Sequence, residues 1–213
     1  GSTLYLGGEF TNIGSQNRNR VAALNAASGG ATAWNPDANG GVFAIVPAAG
    51  GTYLCGEFTS LGVSTRNYIG AVNNTLGGVT SWNPDADAPV HGLALDGTTV
   101  YAGGSFTSIG GQSRQRLAAL STSTGLATSW TSHVTGESVH MLTMSGGALV
   151  AGGAFSGAGG VMRDRIAAVD LSTGEPTAAQ LEEFASLPDV EAVAVLPQYL
   201  IIPDGTQLIN VPA

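Results

Sequence analysis

Phe10, Phe58, Phe106 and Phe155 are separated by 48, 48 and 49 residues, and Trp34, Trp82 and Trp130 keep the same step of 48. Such a period means that one supersecondary unit is written several times over, and that each unit buries its apolar faces by stacking on its neighbours. No other feature restricts the fold as much. Aligned on these anchors, four segments recur. The first spans residues 4–11 and is matched by residues 53–59, 100–107 and 149–156. The second is an arginine-containing loop followed by Val21-Ala22-Ala23-Leu24, repeated as Leu117-Ala118-Ala119-Leu120 and Ile166-Ala167-Ala168-Val169. The third carries the tryptophan, as in Ala31-Thr32-Ala33-Trp34-Asn35-Pro36-Asp37, and the last is Val42-Phe43-Ala44-Ile45-Val46 with its counterparts from Val90, Val139 and Val190.

Each segment is a run of roughly 4–8 β-branched, aromatic or small apolar residues bounded by Gly, Asn, Asp or Ser turns, which is the pattern of a strand. Four strands in about 48 residues make one antiparallel blade of a β-propeller. A blade is covered on both faces, so Ala-Ala and Gly-Gly pairs let neighbouring sheets approach while Phe and Trp fill the gaps. A helical solenoid is a poor rival, because glycine pairs and prolines recur where helix interiors would have to lie. The fold class is therefore all-β: a propeller of four-stranded antiparallel blades, four in this chain, forming a single domain over residues 1–213. The segment 175–213 diverges, with Ala179 or Gln180 at the tryptophan position, Pro188 breaking the spacing, and a fifth start at Tyr199-Leu200-Ile201-Ile202 that runs into Pro203-Asp204. The chain opens in the second strand of a blade and residues 190–196 supply a first strand. A small closed ring, in which the last segment pairs with residues 3–34, and an arc of a larger propeller both remain open. The Gly-Ser-Thr opening, with no initiating Met, reads as a processed or partial product.

The pattern resembles the delta-60 repeat family of bacterial β-propellers, whose units read Tyr-Val-Gly-Gly-x-Phe-Thr, then Arg-x-Arg-Leu-Ala-Ala-Leu, then Trp-Asn-Pro. Here Tyr101-Ala102-Gly103-Gly104-Ser105-Phe106-Thr107, Arg114-Gln115-Arg116-Leu117-Ala118-Ala119-Leu120 and Trp82-Asn83-Pro84 carry the resemblance, which covers roughly residues 3–196. It implies a propeller within a large surface or secreted protein, and no particular reaction.

Composition narrows the function classes. The net charge is −8 and all seven basic residues are arginines, which disfavours non-specific binding to nucleic acid or anionic lipid. No apolar run approaches the roughly 18–20 residues of a membrane span. A lysine-free, Ala/Gly-rich chain fits a high-GC bacterium or its phage. Cys55 is alone, so no intrachain disulfide forms. Asn73-Asn74-Thr75 matches a glycosylation sequon, a pattern that matters only in a eukaryotic secretory setting.

Candidate functional residues divide into those the repeat explains and those it does not. Arg18, Arg66, Arg114 and Arg163 share one repeat position, and Arg20, Arg116 and Arg165 another, where the second copy has Tyr68. The first set could present guanidinium groups to acidic glycans or carboxylates, although recurrence in each copy equally suits a fork inside each blade loop. The tryptophans could stack sugars but their apolar flanks suit blade packing. Asn-Pro-Asp at 35–37 and 83–85, with Asp87, offers calcium-type oxygens, yet lacks a recognisable ligand run and reads as a turn. His91, His140 and Glu191 stand at one repeat position, occupied by Phe43 in the first copy, and symmetry does not account for them. If that strand lines the channel they share a space that could hold a ligand; a metal would require them to meet at about 2.0–2.2 Å from one ion, and no metal or other cofactor is expected. Glu9 and Glu57 could pair as glycosidase carboxylates, but no third residue tunes either of them. No nucleophile elbow, phosphate loop or His-Glu-x-x-His motif occurs. The expectation is a non-catalytic binding or adhesion module, extracellular, on a cell surface or on a virion, whose loops meet a carbohydrate or protein partner. A structural assembly unit that packs against neighbouring subunits, and a glycan-active enzyme, are the alternatives.

Overall fold

The computed structural model describes residues 2–145, 147–162, 165–177, 194–196, 199–201 and 208–210. All regular structure in them is β and every ladder is antiparallel. Arg163 and Glu191 lie outside the described residues, as do the fourth copy's tryptophan position and Pro188.

Three-stranded sheets follow one another at the repeat interval. Val42–Ala48 pairs with Gly51–Gly56, which pairs with Ile69–Val72. The next sheet joins Val90–Asp96, Thr99–Gly104 and Leu117–Ser121, and the one after it Met141–Ser145, Ala148–Gly152 and Ile166–Asp170. Ahead of them Thr3–Gly7 pairs with Val21–Asn25. Between the last two strands of each sheet a small hairpin intervenes, such as Ser60–Leu61 with Ser64–Thr65. The first strands lie side by side, Val90–Asp96 between Val42–Ala48 and Met141–Ser145, so the sheets are blades with their first strands adjacent. This is β-propeller architecture.

The fourth segment of each copy is shorter than four full strands would require. It joins its sheet through one bridge only, Leu24 with Ala31, Val72 with Val79, and Leu120 with Ala127. Beyond the bridge the threonine hydroxyl of Thr32, Thr80 or Thr128 accepts the backbone N–H of the following tryptophan at 3.2–3.3 Å, diverting it from the ladder. Pro36 and Pro84 then lack the N–H a strand needs.

Tryptophan is what holds consecutive blades together. Trp82 stacks edge-on against Tyr53 of its own blade at 4.9 Å between ring centroids, while its indole N–H donates to the Ser121 carbonyl of the next blade at 2.9 Å. Trp34 does the same with Tyr5 and the Asn73 carbonyl, and Trp130 with Tyr101 and the Asp170 carbonyl. Each of the three buried clusters draws on two consecutive blades: Val21 and Trp34 with Leu54 and Phe58, Tyr53 and Ile69 with Val100 and Phe106, and Tyr101 and Leu117 with Leu149 and Phe155. Close approach demands glycine where blades touch. A Cβ on Gly103 would lie 2.5 Å from Val139 Cγ1 of the following blade.

In the divergent segment, Ala194–Leu196 pairs with Tyr199–Ile201, which pairs with Leu208–Asn210. The tail strand thus starts a sheet of its own. Among the described residues Thr3–Gly7 pairs with Val21–Asn25 alone. No helix is long and apolar enough to cross a membrane among the described residues.

Candidate functional site

The first strands carry a β-bulge near their start. Val42 faces Gly56 and Ala44 faces Cys55, leaving Phe43 as the extra residue; likewise Val90 faces Gly104 and Gly92 faces Gly103, leaving His91. A bulge re-aims the side chain of its extra residue and is a common device beside binding sites. His140 occupies the same repeat position, next to the start of Met141–Ser145, where its N–H donates to Gly152 O at 2.8 Å.

Because the first strands are adjacent, these positions form a row across three blades. Phe43 and His91 are stacked, 5.6 Å between centroids and 20° between planes. His91 and His140 meet edge to face at 5.4 Å and 79°. The row sits in an open cavity of about 670 Å³ whose remaining lining comes from Ala44, Gly92, Leu93, Met141 and Leu142. Phe43 is 47% exposed, unusual for a ring flanked by two buried strands' worth of apolar residues.

Serines orient the imidazoles. His91 Nε2 shares a hydrogen bond with Ser105 Oγ at 3.1 Å, and His140 Nε2 with Ser138 Oγ at 2.6 Å. Burial lowers the His91 pKa below its ordinary value, and the neighbouring His140 lowers it further. His91 is therefore neutral near pH 7, with one ring nitrogen as donor and the other as acceptor. Three flat rings, two of them with polar edges, make a surface suited to stacking a ring-shaped ligand and bonding its hydroxyls.

The structure thus brings His91 and His140 together, as the repeat position implied, and adds Phe43 to them. The 48-residue step already pointed to Phe43; what concealed it was that a phenylalanine reads as core. Ser105 and Ser138 carry no sequence signal of their own. Among the described residues no three His, Cys, Asp or Glu groups converge in a way that could hold a metal ion.

The arginines lie elsewhere. Arg66 donates through Nη1 to Thr65 O at 2.6 Å and through Nη2 to Thr80 O at 2.5 Å. Arg18 and Arg114 fork in the same way onto Asn17 and Thr32, and onto Ser113 and Thr128. Each fork ties the arginine loop to the fourth segment of its own blade. Arg20 and Arg116 hold the left-handed conformation, with φ of 63° and 64°, as does Tyr68 at 65° in the second copy.

The turn aspartates are occupied as well. Asp37 Oδ1 accepts from Asn19 at 2.7 Å and Asp85 Oδ1 from Asn67 at 2.8 Å. At Asp87 burial works to raise the pKa, but hydrogen bonds from the Thr107 hydroxyl and from the Ser108 and Thr107 N–H groups outweigh it and hold the carboxyl below its usual value. Glu9 is an exposed partner of Arg20 at 3.9 Å. Cys55 is fully buried, which pushes its thiol pKa up and leaves it unreactive.

A family model described as "Domain of unknown function (DUF5122) beta-propeller" matches residues 3–29. The likeness is to a β-propeller repeat. It falls on Thr3–Gly7, the first small hairpin, Val21–Asn25 and the turn after them, the strands that carry the Gly-Gly and Ala-Ala pairs. A comparison with curated proteins finds no match.

Proposed function

We propose that this chain is a non-catalytic binding module that receives a carbohydrate against the Phe43–His91–His140 row. The observation that carries this reading is the row itself: three rings aligned across three blades, in an open cavity, at a repeat position where the copies differ. Packing explains the tryptophans and the arginine forks, and it does not require a half-exposed Phe43 or an imidazole on a bulge with a second imidazole against it. Among the described residues the cavity's lining includes no carboxylate and no thiol, which favours recognition over hydrolysis. The residue pattern that resembles delta-60 repeats is the ground for placing the module in a large bacterial surface, secreted or phage-particle protein.

The test is a glycan array probed with the intact chain, followed by calorimetry on any glycan retained. Phe43→Ala and His91→Ala should each weaken binding by about tenfold, since stacking on an aromatic ring contributes about 0.5–1.5 kcal/mol beyond its area. An array with no retained glycan, together with a protein partner whose binding ignores both substitutions, would replace this reading with a different surface. Light scattering that shows a defined oligomer disrupted by Phe43→Ala would favour the assembly unit.

A further inference from the structure

The third copy departs from its predecessors at a second place. The turn after the tryptophan reads Asn35-Pro36-Asp37 and Asn83-Pro84-Asp85 in the first two copies, and Thr131-Ser132-His133 in the third. Its backbone course is kept. His133 has the same positive φ as Asp37 and Asp85, at 45° against 57° and 56°, and Gly159 N donates to Ser132 O at 2.7 Å as Gly110 N does to Pro84 O.

What changes is the filling. In the first two copies a carboxylate at this turn accepts the side-chain amide of Asn19 or Asn67. In the third, Gln115 stands at the amide position and His133 at the carboxylate position, and no hydrogen bond joins them; His133 Nε2 turns to Thr131 Oγ1 at 3.3 Å. The place is a cavity of about 450 Å³ lined by Ser113, Arg114, Gln115 and Leu117 and by residues 131–135, and it shares no residue with the ring-lined cavity.

Three properties of that lining specify what it accepts. Among the described residues it holds a guanidinium and an imidazole and no carboxylate. Its hydroxyls come from Ser113, Thr131, Ser132 and Thr135, and its apolar floor from Leu117 and Val134. Ser132 is 1% exposed and its Oγ has no hydrogen-bond partner. Such a buried hydroxyl is costly to the fold unless something else satisfies it. Pro36 and Pro84, at the same position, carry no polar side-chain atom.

We propose that this cavity binds a small carboxylate-bearing ligand of sugar size, whose carboxylate takes the place that Asp37 and Asp85 fill in the first two copies. Gln115 supplies the amide donor that Asn19 and Asn67 supply there. Arg114 supplies positive charge, His133 a ring nitrogen within the same lining, and the hydroxyls meet the rest of an oxygen-rich ligand. Charge assistance makes a carboxylate the better-held group than a neutral hydroxyl. This site is independent of the ring-lined cavity, so either assignment can fail without the other.

Calorimetric titration of the intact chain tests it, with D-glucuronate, acetate and D-glucose as probes. Glucuronate should bind and glucose should not. Acetate that displaces glucuronate identifies a plain carboxylate site, and acetate that fails to do so identifies an acidic-sugar site; both outcomes support the proposal. His133→Asp restores the residue of the first two copies and should weaken glucuronate binding by about tenfold or more, with the melting temperature kept or raised. Gln115→Leu, at an exposed position that the fold does not depend on, should also weaken it. Val63→Ser, at an exposed position outside both cavities, should leave it unchanged. The proposal is overturned if neither carboxylate binds, if glucose binding is weakened by His133→Asp as much as glucuronate binding is, or if both His133→Asp and Gln115→Leu bind glucuronate as the parent does.

Discussion

Trp82→Phe isolates the latch between blades. The substitution keeps a ring against Tyr53 and removes the indole N–H that reaches Ser121 O across the blade boundary. That hydrogen bond contributes about 0.5–1.5 kcal/mol. The carbonyl is not orphaned, because Gly125 N also donates to it at 2.9 Å, so the cost of the lost bond stays within that range. Phenylalanine is also smaller by about three heavy atoms at a site only 5% exposed, which adds about 1.5–2 kcal/mol of lost burial. The sum, about 2–3.5 kcal/mol, corresponds to a fall in melting temperature of roughly 4–14 °C for a domain of this size. Trp130 provides the internal comparison: its bond to Asp170 O is longer, 3.3 Å, and the residue is 9% exposed, so Trp130→Phe should cost less. Urea and thermal unfolding followed by circular dichroism measure both. A Trp82→Phe loss below about 1 kcal/mol, or a larger loss for Trp130→Phe, would refute the latch.

Gly103→Ala tests the close approach of two blades. Its Cβ would press on Val139, which is fully buried, at a cost of about 1–3 kcal/mol. Because Gly103 is not in the left-handed region, the strain is steric, and Val139→Ala in the same chain should recover part of it; strictly additive losses would contradict this. His91→Phe installs the ring of the first copy. The folded-state pKa of His91 is lowered, so the unfolded chain binds the extra proton first and stability declines as pH falls below about 6.5. The variant should show a smaller difference in unfolding midpoint between pH 7.5 and pH 5 than the parent, and an equal difference would remove His91 as its source. Asp170→Asn addresses acid stability. Hydrogen bonds from the Ser172 hydroxyl and from the Thr173 and Ser172 N–H groups lower the Asp170 carboxyl to about 2, so its contribution is complete above the unfolded value and is lost as pH falls toward 2. Asn25 and Asn73 make the same turn with an amide, so the variant should match the parent at pH 7 and unfold less steeply between pH 4 and 2; a marked loss at pH 7 would show that the charge itself is needed.

The repeat spacing made the blade order and the inter-blade role of Trp34, Trp82 and Trp130 legible, because a large apolar residue at a fixed step must meet the same neighbour each time. It also placed His91 and His140 on equivalent strands. It could not show that the fourth segment shrinks to a bridge, since Thr32, Thr80 and Thr128 look like ordinary strand residues until their hydroxyls are seen to accept the tryptophan N–H. Nor could it show the bulge that turns Phe43 and His91 into the cavity, which depends on a register shift between two strands whose residue types permit either pairing. The Thr131-Ser132-His133 turn replaces Asn-Pro-Asp, and its meaning depends on the missing carboxylate being matched by an open space.

The latch also sets the grain at which such a chain can change length. Each tryptophan belongs to one copy and finds its acceptor 39 or 40 residues later, in the next. A recombination event that removes or adds one whole period rejoins a donor with an equivalent acceptor and leaves every boundary satisfied. A cut at any other interval strands an indole N–H in an apolar interface. Gene-level drift in copy number is thereby channelled into whole periods, while the bulge and turn positions within each copy remain free to specialise.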